Sequence, residues 1–168
     1  REREREREMT NRSPIQCVAF VSSKSNRLAK FYMDDTKEEE LLTCQFAMYA
    51  SLDEIDRLVG DKMLSRSQGQ SLDSELGLLC NLGPLSIFGY MTKTRSKILI
   101  GVNQTVLPQK DLSKVFVELH KSYISHVVRN PFVKELHDGR NKYALSAQNA
   151  PKFHENVRHI VQQYNGTI

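Results

Sequence analysis

The stretch 85-LSIFGYMTKTRSKILIGV-102 sets two apolar runs on either side of a short basic turn, 93-KTRSK-97. Both runs are rich in β-branched and aromatic residues, and a run of this length flanked by turn residues reads as a strand. The pair is therefore a β-hairpin. A second hairpin lies nearer the N-terminus. There 15-IQCVAFV-21 and 27-RLAKFYM-33 flank the polar turn 22-SSKSN-26. The first of these runs is apolar without strict alternation, as a central strand buried on both faces would be. A short strand over 76–80 precedes the 85–102 hairpin, and Pro84, which cannot donate a hydrogen bond, marks the break between them. Successive hairpins argue for a mostly antiparallel sheet.

Three helices are interspersed with these strands. The acidic segment 34-DDTKEEE-40, with Thr36 and Glu39 at capping-box spacing, predicts a helix start. Beyond it Leu42, Phe46, Tyr49, Leu52, Ile55 and Val59 recur at steps of three or four, a stripe suited to lying on a sheet, and Gly60 is expected to end the helix. A second helix starts near Pro108 and Asp111. It places Leu112, Phe116, Leu119, Tyr123 and Val127 on one face and ends at Asn130, because Pro131 restricts the residue before it. The last carries Phe153, Val157, Ile160 and Tyr164, with Asn165-Gly166 as its cap. Residues 61–75 and 133–150 are polar and predict surface loops. The class is thus α+β, an antiparallel sheet with helices covering its faces.

Composition bounds the rest. At 168 residues the chain has the length of one ordinary domain. With 39% hydrophobic and 26% charged residues it has neither a disordered nor a membrane profile. The absence of an N-terminal signal pattern points to the cytoplasm. Cys17, Cys44 and Cys80 form no C-x-x-C pair and are expected to be free thiols of a reducing compartment. The tail RERERERE contributes four charges of each sign and leaves the net charge of +4 unchanged. One hypothesis is that it translates a GA dinucleotide repeat, which would make Met9 the native start, and the tail has no apolar residue with which to pack in either case. Residues 1–14 are therefore set apart as a low-complexity tail and flexible N-terminus, and 15–168 as a single domain.

Signs of catalysis are sparse. His154 and His159 are five positions apart and diverge on a helix, and neither H-x-x-x-H nor C-x-x-C occurs. Glycine-rich phosphate loops and nucleophile elbows are absent as well. The expectation is no enzyme, no metal and no cofactor. Lys93, Arg95 and Lys97 at one turn, and Lys134, Arg140 and Lys142 in a loop, have no aromatic platform between them, so nucleic acid is not an expected partner. One acid stands out: Asp53 adjoins Leu52 in the first helix and precedes Glu54 and Asp56. Two readings of it stand, the polar border of a packing stripe and an acceptor of hydrogen bonds from a neighbouring chain.

Four strings in order, 51-SLDEID-56, 77-GLLC-80, 87-IFGYMTKTRSKILIGV-102 and 116-FVELHKSYISHVVRNPF-132, together with the helix from Phe153, carry a resemblance. The chain resembles the sedlin-type subunits of the trafficking protein particle complex, TRAPP, and most closely the subunit 2-like branch, from Ile15 to Tyr164. The resemblance implies a longin-like (SNARE-like) fold with five antiparallel strands, one helix on one face and two on the other. It also implies a non-enzymatic subunit of a vesicle-tethering complex in ER-to-Golgi and Golgi transport. Its partners would be other TRAPP subunits, with a link to a Rab GTPase only through the complex. It would sit peripherally and indirectly at endoplasmic reticulum and Golgi membranes in the perinuclear region. The family's helix aspartate falls on Asp53 and its Asn-Pro-Phe on Asn130, Pro131 and Phe132, which makes these the expected partner-binding residues. The next family position is usually aromatic and is Val133 here. The alternative is a longin-like regulatory or adaptor module that binds a SNARE or a coat component.

Overall fold

The computed structural model describes residues 14–23, 26–33, 38–64, 75–103, 112–133 and 145–166. Five strands are present: β1 (Ile15–Val21), β2 (Leu28–Met33), β3 (Glu75–Leu82), β4 (Leu85–Met91) and β5 (Lys97–Asn103). They form one antiparallel sheet in the order β2-β1-β5-β4-β3. The two predicted hairpins are thus joined through their central strands, β1 against β5. Gly83 and Pro84 make the two-residue turn between β3 and β4, and Gly83 adopts a φ of 61°, as primed hairpin turns require.

Helix α1 (Glu38–Leu64) covers one face of the sheet, while α2 (Ser113–Tyr123) and α3 (Pro151–Gly166) cover the other. Because side chains alternate along a strand, each central strand feeds two cores. Cys17, Ala19 and Val21 of β1 and Leu99 of β5 pack with Cys44, Ala47, Met48, Leu52 and Ile55 of α1. Val18, Phe20, Ile98, Ile100 and Val102 pack with Phe116, Leu119, Tyr123, Phe153 and Val157. Phe20 centres that second core, stacked on Tyr123 at 5.8 Å and edge-on to Phe153 at 5.0 Å. Gly101 lies opposite Cys17, and a Cβ there would run into the Cys17 sulfur.

Several element boundaries differ from expectation. Helix α1 does not stop at Gly60 but continues to Leu64, because an exposed glycine costs a helix only about 1 kcal/mol. The Thr36–Glu39 capping box lies outside the described side chains, as do Pro108 and Asp111. The second helix is regular to Tyr123 and then widens into a π turn, Ile124–Val128, closed by Arg129 N–H to Ile124 O at 3.0 Å. Residues 131–133 are helical again. Pro131 thus opens a new turn, where its missing N–H costs nothing, and Asn130 Oδ1 accepts from Phe132 N–H at 3.2 Å as the cap. Asn165 does not end α3. Its amide accepts from Ile15 N–H (3.1 Å) and donates to Ile15 O (3.2 Å), tying the last helix to the first strand.

Two parts of the polar loops are structured. Val133, where the resemblance led to the expectation of an aromatic residue, is buried in the second core as a packing residue. Between β1 and β2 the pairing shifts at Ala29, so Ala29 and Lys30 both meet the α2–α3 side. Leu145 donates its N–H to Ala29 O (2.9 Å) and accepts from Lys30 Nζ (3.2 Å), which straps residues 145–150 onto the edge strand.

Candidate functional site

The predicted stripe on α1 is in fact two stripes. Cys44, Ala47, Met48, Ser51, Leu52 and Ile55 face the sheet and are buried. Leu42, Phe46 and Tyr49 do not pack on it. Leu42 is 69% and Phe46 66% exposed, and Tyr49 is partly exposed beside them. At about 100° per residue, positions 42, 46, 49 and 53 form one line on the side of the helix away from the core. Counting all apolar positions as one face merged the two.

Asp53 closes that outer line. Its side chain is exposed and lies at the edge of an open groove of about 380 Å³, lined by Asn26, Phe46, Tyr49, Ala50, Leu52 and Asp53. The neighbouring acids are committed elsewhere. Glu54 accepts from Arg57 at 2.6 and 3.0 Å, and the guanidinium holds its carboxyl below the usual range. Asp56 accepts from Asn26 Nδ2 at 2.9 Å and lies 3.6 Å from Lys97 Nζ. Among the described residues no ion pair engages Asp53. Of the three acids in 51-SLDEID-56, Asp53 alone has no ion-pair partner among the described residues.

Asn26 was not singled out by sequence, and nothing local marks it. It accepts from Lys97 Nζ at 2.7 Å while donating to Asp56, so the β1–β2 loop, β5 and α1 meet at its amide. These bonds hold Asn26 in place where it lines the groove with Tyr49. Lys97 is correspondingly buried and is not part of a basic tip, which leaves Lys93 and Arg95 exposed at the β4–β5 turn. Lys134, Arg140 and Lys142 lie outside the described residues.

The other predicted residues lie on the far side of the sheet from α1. Phe132 is 84% exposed, Pro131 is exposed and Asn130 half-buried. The three are adjacent to one another but are not brought together with Asp53. The histidines of 119-LHKSYISHVVRNPF-132 are packing groups. His126 Nδ1 donates to Ser122 O at 2.9 Å, and His120 rests on Tyr90 with ring centroids 5.6 Å apart, its pKa lowered by burial. Among the described residues no group of three His, Cys, Asp or Glu side chains could hold a metal ion. Nor is any described helix long and apolar enough to cross a membrane. The cysteines are free, with Cys17 and Cys44 buried. Cys17 shares a hydrogen bond with Cys44, which pushes Cys17 up and Cys44 down.

Comparison with known proteins agrees with this architecture. The chain is 32% identical over 122 residues to the trafficking protein particle complex subunit 2-like protein of Dictyostelium discoideum, covering 71% of this chain and 83% of that one. It is 27% identical over 118 residues to the protein of the same name from Xenopus tropicalis, and 26% to that of Rattus norvegicus, in each case 69% of this chain and 81% of the relative. The sedlin family model matches residues 11–163, nearly the whole of the described fold, and the chain belongs to the sedlin family.

Proposed function

We propose that this chain is a non-enzymatic subunit of the TRAPP vesicle-tethering complex, acting in ER-to-Golgi and Golgi transport by holding neighbouring subunits in place. The observation that carries this reading is the uncovered apolar line Leu42–Phe46–Tyr49 running into the groove at Asp53. Large side chains exposed in a contiguous row cost solubility unless another protein covers them. An acid at the end of such a row supplies direction, since it accepts hydrogen bonds that a misaligned partner would leave unmade. Asp53 is the polar anchor of this contact, and Asn130, Pro131 and Phe132 form a second one at the far face. The match to proteins named as subunits of the trafficking protein particle complex supports the same company. Association with endoplasmic reticulum and Golgi membranes is then peripheral, and any link to a Rab GTPase runs through the assembled complex.

Affinity capture of the chain from native cells, read by mass spectrometry, tests this. TRAPP subunits should co-purify, and Asp53→Tyr should lose at least part of that set while its circular dichroism stays native. Capture of SNARE or coat proteins without TRAPP subunits would favour an adaptor role instead. An unfolded Asp53→Tyr chain would make the position one of stability.

A further inference from the structure

Two exposed surfaces, on opposite faces of the sheet, carry complementary chemistry. One is a knob in which Val128 is 45% exposed, Arg129 and Pro131 are exposed, and Phe132 is 84% exposed. The Asn130 cap holds the Phe132 backbone, so the ring is presented at little entropic cost. The other is the α1 groove, apolar where Phe46, Tyr49, Ala50 and Leu52 line it and acidic at Asp53. Its volume of about 380 Å³ admits an aromatic ring. Neither Asp53 nor Arg129 has an ion-pair partner among the described residues, and their charges are opposite. Apart from those on α1, Phe132 is the one strongly exposed aromatic among the described residues, and an arginine stands three positions before it.

We infer that the α1 groove takes the Arg129–Phe132 knob of a second copy of this chain, with the Phe132 ring on Phe46 and Tyr49 and the guanidinium on Asp53. A chain cannot fill its own groove in this way, because α1 lies on one face of the sheet and the knob on the other. The contact joins unlike surfaces, so it either closes by reciprocal exchange or propagates head to tail. It is independent of which complex the chain joins, and it covers the same α1 face that a different subunit would use. Homotypic association and assembly into a complex therefore exclude each other on that face.

Sedimentation of the purified full chain tests it, over concentrations up to about 1 mM, where weak homotypic contacts are visible. The wild type should self-associate with rising concentration. Asp53→Arg, Arg129→Asp and Phe132→Ala should each weaken this by about tenfold or more. All three positions are exposed, and circular dichroism should stay native. An equimolar mixture of Asp53→Arg and Arg129→Asp should associate again, because each variant then meets the opposite charge on the other. A monomer throughout, association indifferent to the charge reversals, or a mixture that stays apart would each overturn the inference, and none of them would bear on the capture experiment.

Discussion

Lys30 is the residue whose surroundings depart most from its type. It sits on an edge strand, yet its side chain is fully buried. There Nζ donates to Leu145 O and to His154 Nδ1 at 2.9 Å and lies 5.5 Å from the centre of the Phe153 ring. Burial pulls its pKa from 10.5 down to about 8. His154, which accepts this bond as a neutral ring, is lowered too, by burial first and by the Lys30 charge second. Between about pH 8 and 10.5 the unfolded chain keeps a lysine proton that the folded chain has given up, so this group makes stability rise with pH across that window. Lys30→Met removes the titration while keeping the volume. Urea unfolding of the two proteins from pH 7 to 11 should show the wild type gaining on the variant through the window, and a constant difference would refute the assignment. Nothing in 27-RLAKFYM-33 announces a buried ammonium. Alternation from Tyr32 places Lys30 opposite Phe20 on the α2–α3 face, and its acceptors lie 115 and 124 positions away.

At the scale of elements, α1 carries one apolar face packed on the sheet and one exposed to solvent, which we propose a partner covers. The sheet-facing side chains fill a packed core, so Ile55→Ala should cost about 2–5 kcal/mol. The outer line touches no core, and Leu42→Gln with Phe46→Gln should change stability by no more than about 0.5 kcal/mol per position. Denaturant titration separates these cases, and a large loss from the outer pair would return those residues to the core. The helix itself was legible from its apolar spacing, and so were both hairpins and the packed faces of α2 and α3. The division of α1 was not. Hydrophobic periodicity registers that a face is apolar, and it is blind to whether a sheet or another chain covers it. The same holds at the end of α2: Pro131 announced a change of course, while the π turn that buries Val127 and leaves Phe132 outside depends on packing against α3.

At the scale of the molecule, the fold is closed by contacts between its ends. Asn165 meets Ile15 through two hydrogen bonds across a separation of 150 positions, fastening α3 to a central strand. Asn165→Ala leaves the Ile15 N–H and O without those partners and should lower stability by about 1–3 kcal/mol. Equilibrium unfolding measures this, and an unchanged midpoint would show that water replaces the amide. As a sequence, 164-YNG-166 reads as an ordinary helix end, so this tie was invisible until the first strand and last helix were placed side by side. By itself the sequence determined the strands, the hairpin turns and the apolar faces of the last two helices, because these follow from alternation, helical spacing and turn chemistry among near neighbours. Only the tertiary structure decided which side of α1 meets the sheet, that no described residue pairs with Asp53 while Glu54 and Asp56 are engaged, and that Phe132 points away from the core. Those outcomes depend on which distant groups arrive beside a residue, and no local pattern carries that information.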